Sequence, residues 1–202
     1  SITFMSSIAA RRGSAFLALY SISKGATDLA MPGVSSTSPL QTRYVPVGKM
    51  YFEGLRRLVD ADCTLPGLRV GRPDAIALEA YQGLLAFELL GRRSYKSDAK
   101  ASTPAELSAQ QARLIARMDL VDALEQGRSQ RLGRDLEGTP GLRLKLSAAQ
   151  RDLLVSDPKG DRLDAVLCLM QAAWAQRRRE QGDIRWGLPA DMDPVEGWIL
   201  SA

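Results

Sequence analysis

Apolar side chains recur at Leu163, Val166, Leu167, Met170 and Trp174, a spacing of i, i+3, i+4, i+7 and i+11. That stripe commits Asp161 to Glu180 to a helix with one buried face, ended by Gln181-Gly182. Ser102-Thr103-Pro104-Ala105-Glu106 supplies a second helix start, because proline suits the first turn and a hydroxyl suits the cap. The spacing predicts a helix from about Ala105 to Gln126, with Leu107, Leu114, Ile115, Met118, Val121 and Leu124 facing inward. Two shorter helices are expected over Gly48–Ala61 and Gly83–Leu90, the latter stopped by Gly91. The run Ala75-Ile76-Ala77-Leu78-Glu79-Ala80-Tyr81 is short, mainly apolar and bounded by turn residues, the form of a buried strand. The expected class is therefore α/β and helix-rich. A chain of 202 residues, 45% hydrophobic, can bury one such core without disulfide or metal staples.

The rest reads as connection. Residues 31–47 hold three prolines and a serine cluster and suit an extended surface segment, while Gly127 to Leu146 is basic, glycine-containing and loop-like. The closing DIRWGLPADMDPVEGWI should wrap back over the body with Trp186, Trp198 and Ile199 as anchors. Residues 1–30 form an irregular segment outside the expected 31–202 domain. From Ser1 to Thr27 there is no acidic residue, only Arg11, Arg12 and Lys24. That profile suits either a targeting leader or the interior of a longer polypeptide. The short apolar run, with no small-residue cleavage site, favours the second reading. No stretch reaches the 18 or so apolar residues of a membrane span.

The chain contains no histidine, which removes the Ser-His-Asp triad, the Cys-His pair and histidine-containing zinc sites. Cys63 and Cys168 are too few for a zinc ribbon or a disulfide framework and fit a reducing cytoplasm. The formal charge of +4 permits a nucleic-acid partner without requiring one. The chemistry left open is carboxylate-bound Mg²⁺ or Mn²⁺ acting on phosphates. Glu79 ends the expected strand, and Asp161 and Asp164 open the last helix on one face. These acids have a second reading, since Asp161 after Gly160 suits an N-cap and Asp164 a capping-box-like position. Lys96, beside Tyr95 and after Arg92-Arg93, is either a phosphate-neutralising group or a solvated loop charge, and Arg177-Arg178-Arg179 suits the negative end of the helix dipole. No glycine-rich phosphate loop of the Walker or dinucleotide type is present.

The series SSTSPLQTRYVPVGKMYFEG, IALEAYQGLLAFELLGRRSYKSD, GDRLDAVLCLMQAAWA and WGLPADMDPVEGWI resembles domain-of-unknown-function family 429 over roughly Lys24 to Ile199. Those prokaryotic proteins are predicted nucleases with a ribonuclease H-like fold. The resemblance implies phosphodiester hydrolysis with Mg²⁺ or Mn²⁺. It puts Glu79, Asp161 and Asp164 at the metal and catalytic positions and gives Lys96 of the SYK element a site role. The implied partner is nucleic acid or another phosphodiester, not a membrane. Gln82 stands where the family pattern has proline after EAY. The first-strand aspartate of such folds has no counterpart before Asp28, so the chain resembles the C-terminal two-thirds of the domain. A non-catalytic remnant or nucleic-acid-binding module is the alternative expectation.

Overall fold

A computed structural model describes residues 54, 56–133, 141–192, 199 and 200. Residues 1–53, residue 55, Trp198 and the 134–140 part of the basic connection lie outside the described residues. So do the expectations of an irregular 1–30 segment, an extended 31–47 connection and a helix start at Gly48.

The described chain begins with helical residues 56–60, where Leu58 is buried. Strand β1 (Cys63–Thr64) follows, then β2 (Arg72–Ile76), and the two pair in parallel with a register shift between Cys63 and Thr64. Four helices come next: α1 (Gln82–Leu90), α2 (Pro104–Gln126), α3 (Ala148–Val155) and α4 (Asp161–Glu180). A 3₁₀ turn at Arg131–Gly133 lies between α2 and α3. The architecture is mixed α/β with a small parallel pair of strands. No helix among the described residues is long and apolar enough to cross a membrane.

Helix α1 packs on both α2 and α4, and α3 fills in against the same two helices. The main core runs through Leu85, Leu120, Leu124, Leu132, Leu163, Leu167, Trp174 and Leu200. A smaller cluster of Leu58, Cys63, Leu65 and Ala77 sits under the strands. Both cysteines are buried and neither forms a disulfide. Trp186 packs on the main core and Ile199 is buried with Leu84, so the tail is anchored at both points. Arg178 donates to Asp183, and its guanidinium lies 5.9 Å from the centre of the Trp174 ring. Burial pushes the Asp183 carboxyl up, but donors from the Arg185 N–H, Arg178 and the Gly187 N–H outweigh it and hold it below the usual carboxylate range.

The stripe at 161–180 forms a helix over those same residues, with Leu163, Leu167, Met170 and Trp174 buried and Val166 half-buried. The strand expected at 75–81 is displaced. Only Ala75 and Ile76 belong to β2, and Ala77 to Glu79 run on outside the ladder to an isolated parallel bridge between Ala80 and Leu200. The apolar run marked burial, which Ile76, Ala77 and Glu79 do show. Ladder pairing is limited by the two-residue partner β1, which aligns Cys63 with Arg72 and Thr64 with Ile76, so the strand begins on the exposed Arg72-Pro73-Asp74 and reaches only the start of the apolar run.

The inner face expected for α2 also needs correction. Val121 and Leu124 are buried and Leu114 is half-buried, but Leu107, Ile115 and Met118 are 58%, 48% and 43% exposed. The packed face is Ala116, Arg117, Leu120, Val121, Ala123 and Leu124. Small alanines let neighbouring helices approach closely, so a stripe drawn through large apolar residues alone is rotated away from the true contact.

The start of α2 is a reciprocal cap. Thr103 Oγ1 accepts from the Glu106 N–H at 3.2 Å, while Glu106 Oε2 accepts from the Ser102 and Thr103 N–H groups at 2.7 and 2.8 Å. These donors, the Ser102 N–H first, lower the Glu106 carboxyl to about 2. A carboxyl depressed on folding adds stability above its ordinary value of 4.5 and loses it as pH falls toward about 2. Glu106→Gln should therefore flatten the acid limb of a stability–pH curve across that window. In urea titrations Leu120→Ala should cost about 2–5 kcal/mol as a core truncation. Ile115→Ala should stay within about 0.5 kcal/mol as a surface change.

Candidate functional site

Asp164 occupies the first turn of α4 and is 4% exposed, although a carboxylate buried without partners is strongly unfavourable. Its partners arrive from two distant stretches. Tyr95 donates its hydroxyl to Asp164 Oδ1, and Lys96 Nζ donates to and ion-pairs with Oδ2. Gln82 Nε2, at the first residue of α1, adds a longer hydrogen bond to Oδ2 at 3.4 Å. The Lys96 side chain is 38% exposed against 6% for Asp164, so the pair opens to solvent on the lysine side alone.

The segment carrying Tyr95 and Lys96 has no regular secondary structure, and three contacts hold it. The Ser97 N–H donates to the Pro158 carbonyl at 3.0 Å. Arg117, 5% exposed on α2, donates from Nη1 to the Tyr95 carbonyl at 2.9 Å and from Nε to the Val155 carbonyl at 2.7 Å. Gly160 completes the fit. It takes φ +72°, and a Cβ there would lie 2.8 Å from Lys96 Cβ and 3.2 Å from Tyr95 Cε2. Glycine is needed both for the left-handed backbone and for the close approach.

The cap of α4 is that glycine, with no side-chain cap bond, so neither aspartate acts as the expected cap. Asp161 is the exposed first residue of the helix, and Asp164 turns inward to Tyr95 and Lys96. Both keep the favourable position near the positive end of the helix dipole. The Tyr95 phenol is pushed far up, first by burial and then by the Asp164 charge, which keeps it a neutral donor.

Glu79 is also buried, at 4% exposure, but in different company. Its backbone carbonyl accepts from the Leu200 N–H at 2.9 Å, and it borders a small cavity with Leu65, Leu188 and Met192. Among the described residues no three acidic or thiol side chains gather in a group suited to a metal ion. The structure thus joins Lys96 to Asp164, while no such group unites Glu79, Asp161 and Asp164. Asp161 and Asp164 still present hard oxygen donors one turn apart, the donor chemistry Mg²⁺ takes from one or two carboxylates.

Three residues of this cluster escape a motif-based reading. Tyr95 is the central letter of SYK but carries no role of its own there, Gln82 reads as a departure from a pattern, and Arg117 is a charge within a helix. Arg117 did leave a signal, because it lies at i, i+3, i+4 and i+7 with Leu120, Val121 and Leu124. A cation on a buried stripe asks for carbonyl partners, and it has two.

Tyr95→Phe should cost about 1–3 kcal/mol at pH 7, because it withdraws a donor from a buried carboxylate. A phenol raised on folding stabilises the native state below its ordinary value of 10.0, and that contribution is lost as pH rises above it. The variant should therefore be less stable at neutral pH and lose less stability above pH 10, as urea titrations across pH would show.

Comparison of the chain with protein-family models, with curated proteins and with solved structures gives no match.

Proposed function

We propose that the chain is a divalent-metal-dependent phosphodiester hydrolase of the ribonuclease H-like class, related to domain-of-unknown-function family 429. What carries the reading is the cluster at the start of α4. Gln82 of EAYQG, Tyr95 and Lys96 of SYKSD, and Asp164 of GDRLDA meet there, although the first and last lie 82 residues apart. Tyr95, Lys96 and Asp164 belong to the SYK and GDRLDA elements of the resemblance, while Gln82 stands where the family pattern has proline. A largely buried ion pair is poor value for stability, since desolvation offsets much of its attraction. Such clusters concentrate at functional sites.

In this reading Asp161 and Asp164 would hold Mg²⁺ or Mn²⁺ from one helical turn, while Glu79, which is not grouped with them, enters only as the carboxylate the resemblance implies. When bound, the cation supplies positive charge to a phosphate undergoing attack by water. Tyr95 and Gln82 orient the Asp164 carboxylate. Lys96, on the solvent side of the pair, neutralises a phosphate oxygen once its ammonium leaves Asp164. The buried, unbridged thiols of Cys63 and Cys168 agree with a reducing, cytoplasmic setting.

One observation favours a second reading, a non-catalytic nucleic-acid-binding module of the same class: the Lys96 ammonium itself neutralises Asp164. Thermal melts with and without excess Mg²⁺ or Mn²⁺ separate the two. Under the first reading the wild type gains about 2.7 kcal/mol at a hundredfold excess over Kd. Asp164→Asn and Asp161→Asn lose that gain, and cleavage of single-stranded DNA, RNA or an activated phosphodiester falls with them. A wild type indifferent to metal, cleaving no faster than Asp164→Asn, would leave the binding module standing.

A further inference from the structure

On the other side of the Tyr95-Lys96-Ser97 segment lies a cleft of about 340 Å³ between the N-terminal half of α2 and the Pro158 loop. Its walls carry Arg113 and Arg117, one helical turn apart, with Gln110 beside them and Ser97 opposite. Two like charges at i, i+4 repel each other along a helix. Arg113 makes no ion pair or hydrogen bond with a described residue. Among the described residues the acid acting on Arg117 is Asp157, whose two oxygens accept from the Lys159 and Arg162 N–H groups.

Arg117 is itself more than nine-tenths buried, and burial pulls its pKa down. Its guanidinium carries five N–H donors. Two are used, on the Val155 and Tyr95 carbonyls, and Nη2 makes no hydrogen bond among the described residues. Ser97 Oγ accepts from the Ala99 N–H at 3.2 Å, which leaves its hydroxyl hydrogen to donate. The cleft therefore gathers two cationic forks, an amide and a hydroxyl around a space holding no described carboxylate. Planar guanidinium donors match the paired oxygens of an oxyanion.

We propose that this cleft is a phosphate-group subsite, with Arg113 and Arg117 pairing with the oxyanion and Gln110 and Ser97 donating to its remaining oxygens. The proposal rests on the hydrolase reading only for the choice of phosphate over other oxyanions. Ser97 follows Lys96, and their Cα atoms are about 3.8 Å apart across one peptide. The cleft and the Lys96–Asp164 pair are thus built on one segment, which a nucleotide strand with several phosphates can engage at more than one point. A free phosphoester offers the same chemistry.

The test uses the full chain in EDTA, so that no metal contributes. Inorganic phosphate is titrated in thermal melts against chloride of equal ionic strength, and a labelled single-stranded oligothymidylate is titrated by fluorescence anisotropy. Phosphate should raise the wild-type Tm by about 2–4 °C when well above its Kd. Arg113→Gln, a half-exposed change to another good helix former, should abolish the rise while leaving the phosphate-free Tm nearly unchanged. Arg128→Gln, outside the cleft, and Asp161→Asn, at an exposed position outside the Asp164 network, should each retain it. Oligonucleotide binding weakened about tenfold by Arg113→Gln would support the subsite with a strand phosphate as ligand. A phosphate response without oligonucleotide binding would support it with a small phosphoester. No phosphate-specific rise, or a rise unchanged in Arg113→Gln, would overturn the proposal. Because Asp161→Asn keeps the rise, failure of the metal reading and failure of the subsite are separately visible.

Discussion

A carboxylate excluded from water has to be answered by donors, and in this fold the answer to Asp164 fixes much of what surrounds it. Tyr95 and Lys96 supply the bonds, but they sit on a segment with no ladder or helix of its own to hold it. That segment is pinned by Arg117 from α2 and by the Pro158 carbonyl from the loop entering α4. Arg117 also takes the Val155 carbonyl at the end of α3. Gln82 brings in the first residue of α1. All four helices therefore touch one polar network, which the apolar core cannot replace because apolar contacts carry no direction. The core supplies burial, and the Asp164 network selects how the irregular segment is threaded through it.

The parts of this arrangement legible in the sequence are those with a period or a punctuation mark. Helix α4 follows from its stripe, and α2 from its proline and capping residues. The short helix α3 goes unread, because it has too few turns for a stripe and its one mark is the Ser147–Gln150 capping box. The face of α2 was misread because Ala116 and Ala123 carry the closest packing and contribute little hydrophobicity. The displaced strand has a related cause. An apolar run records where a chain is buried, whereas a ladder depends on which backbone lies alongside, and here β1 offers two residues.

The candidate site was legible only as separate letters. Asp164 and Lys96 each read as ordinary local features, a helix-start acid and a loop cation, and no periodicity links residues 68 apart. Family resemblance brought the three short elements into one hypothesis. Tyr95, Gln82 and Arg117 entered with the fold, because a hydrogen-bond partner contributed from another element leaves no mark in the local sequence. Gln82 is instructive in this respect. Proline at the same position would hold φ more firmly but would have no side-chain donor for Asp164.

The exposure difference across the Lys96–Asp164 pair gives the proposed chemistry its direction. The carboxylate is sealed by protein on one side, and the ammonium is the group that can move, with four rotatable carbons and a solvent-facing end. A divalent cation arriving from solvent would meet Lys96 first and would compete with a single charge for Asp164. The displaced ammonium would remain on the same solvent face, tethered to a segment whose next residue borders the Arg113–Arg117 cleft. Charge released from the carboxylate would then stand beside the position of an incoming phosphate. On the proposed reading, the lysine that neutralises Asp164 at rest is the same group that greets the substrate, and one irregular segment, 95–97, couples the two roles.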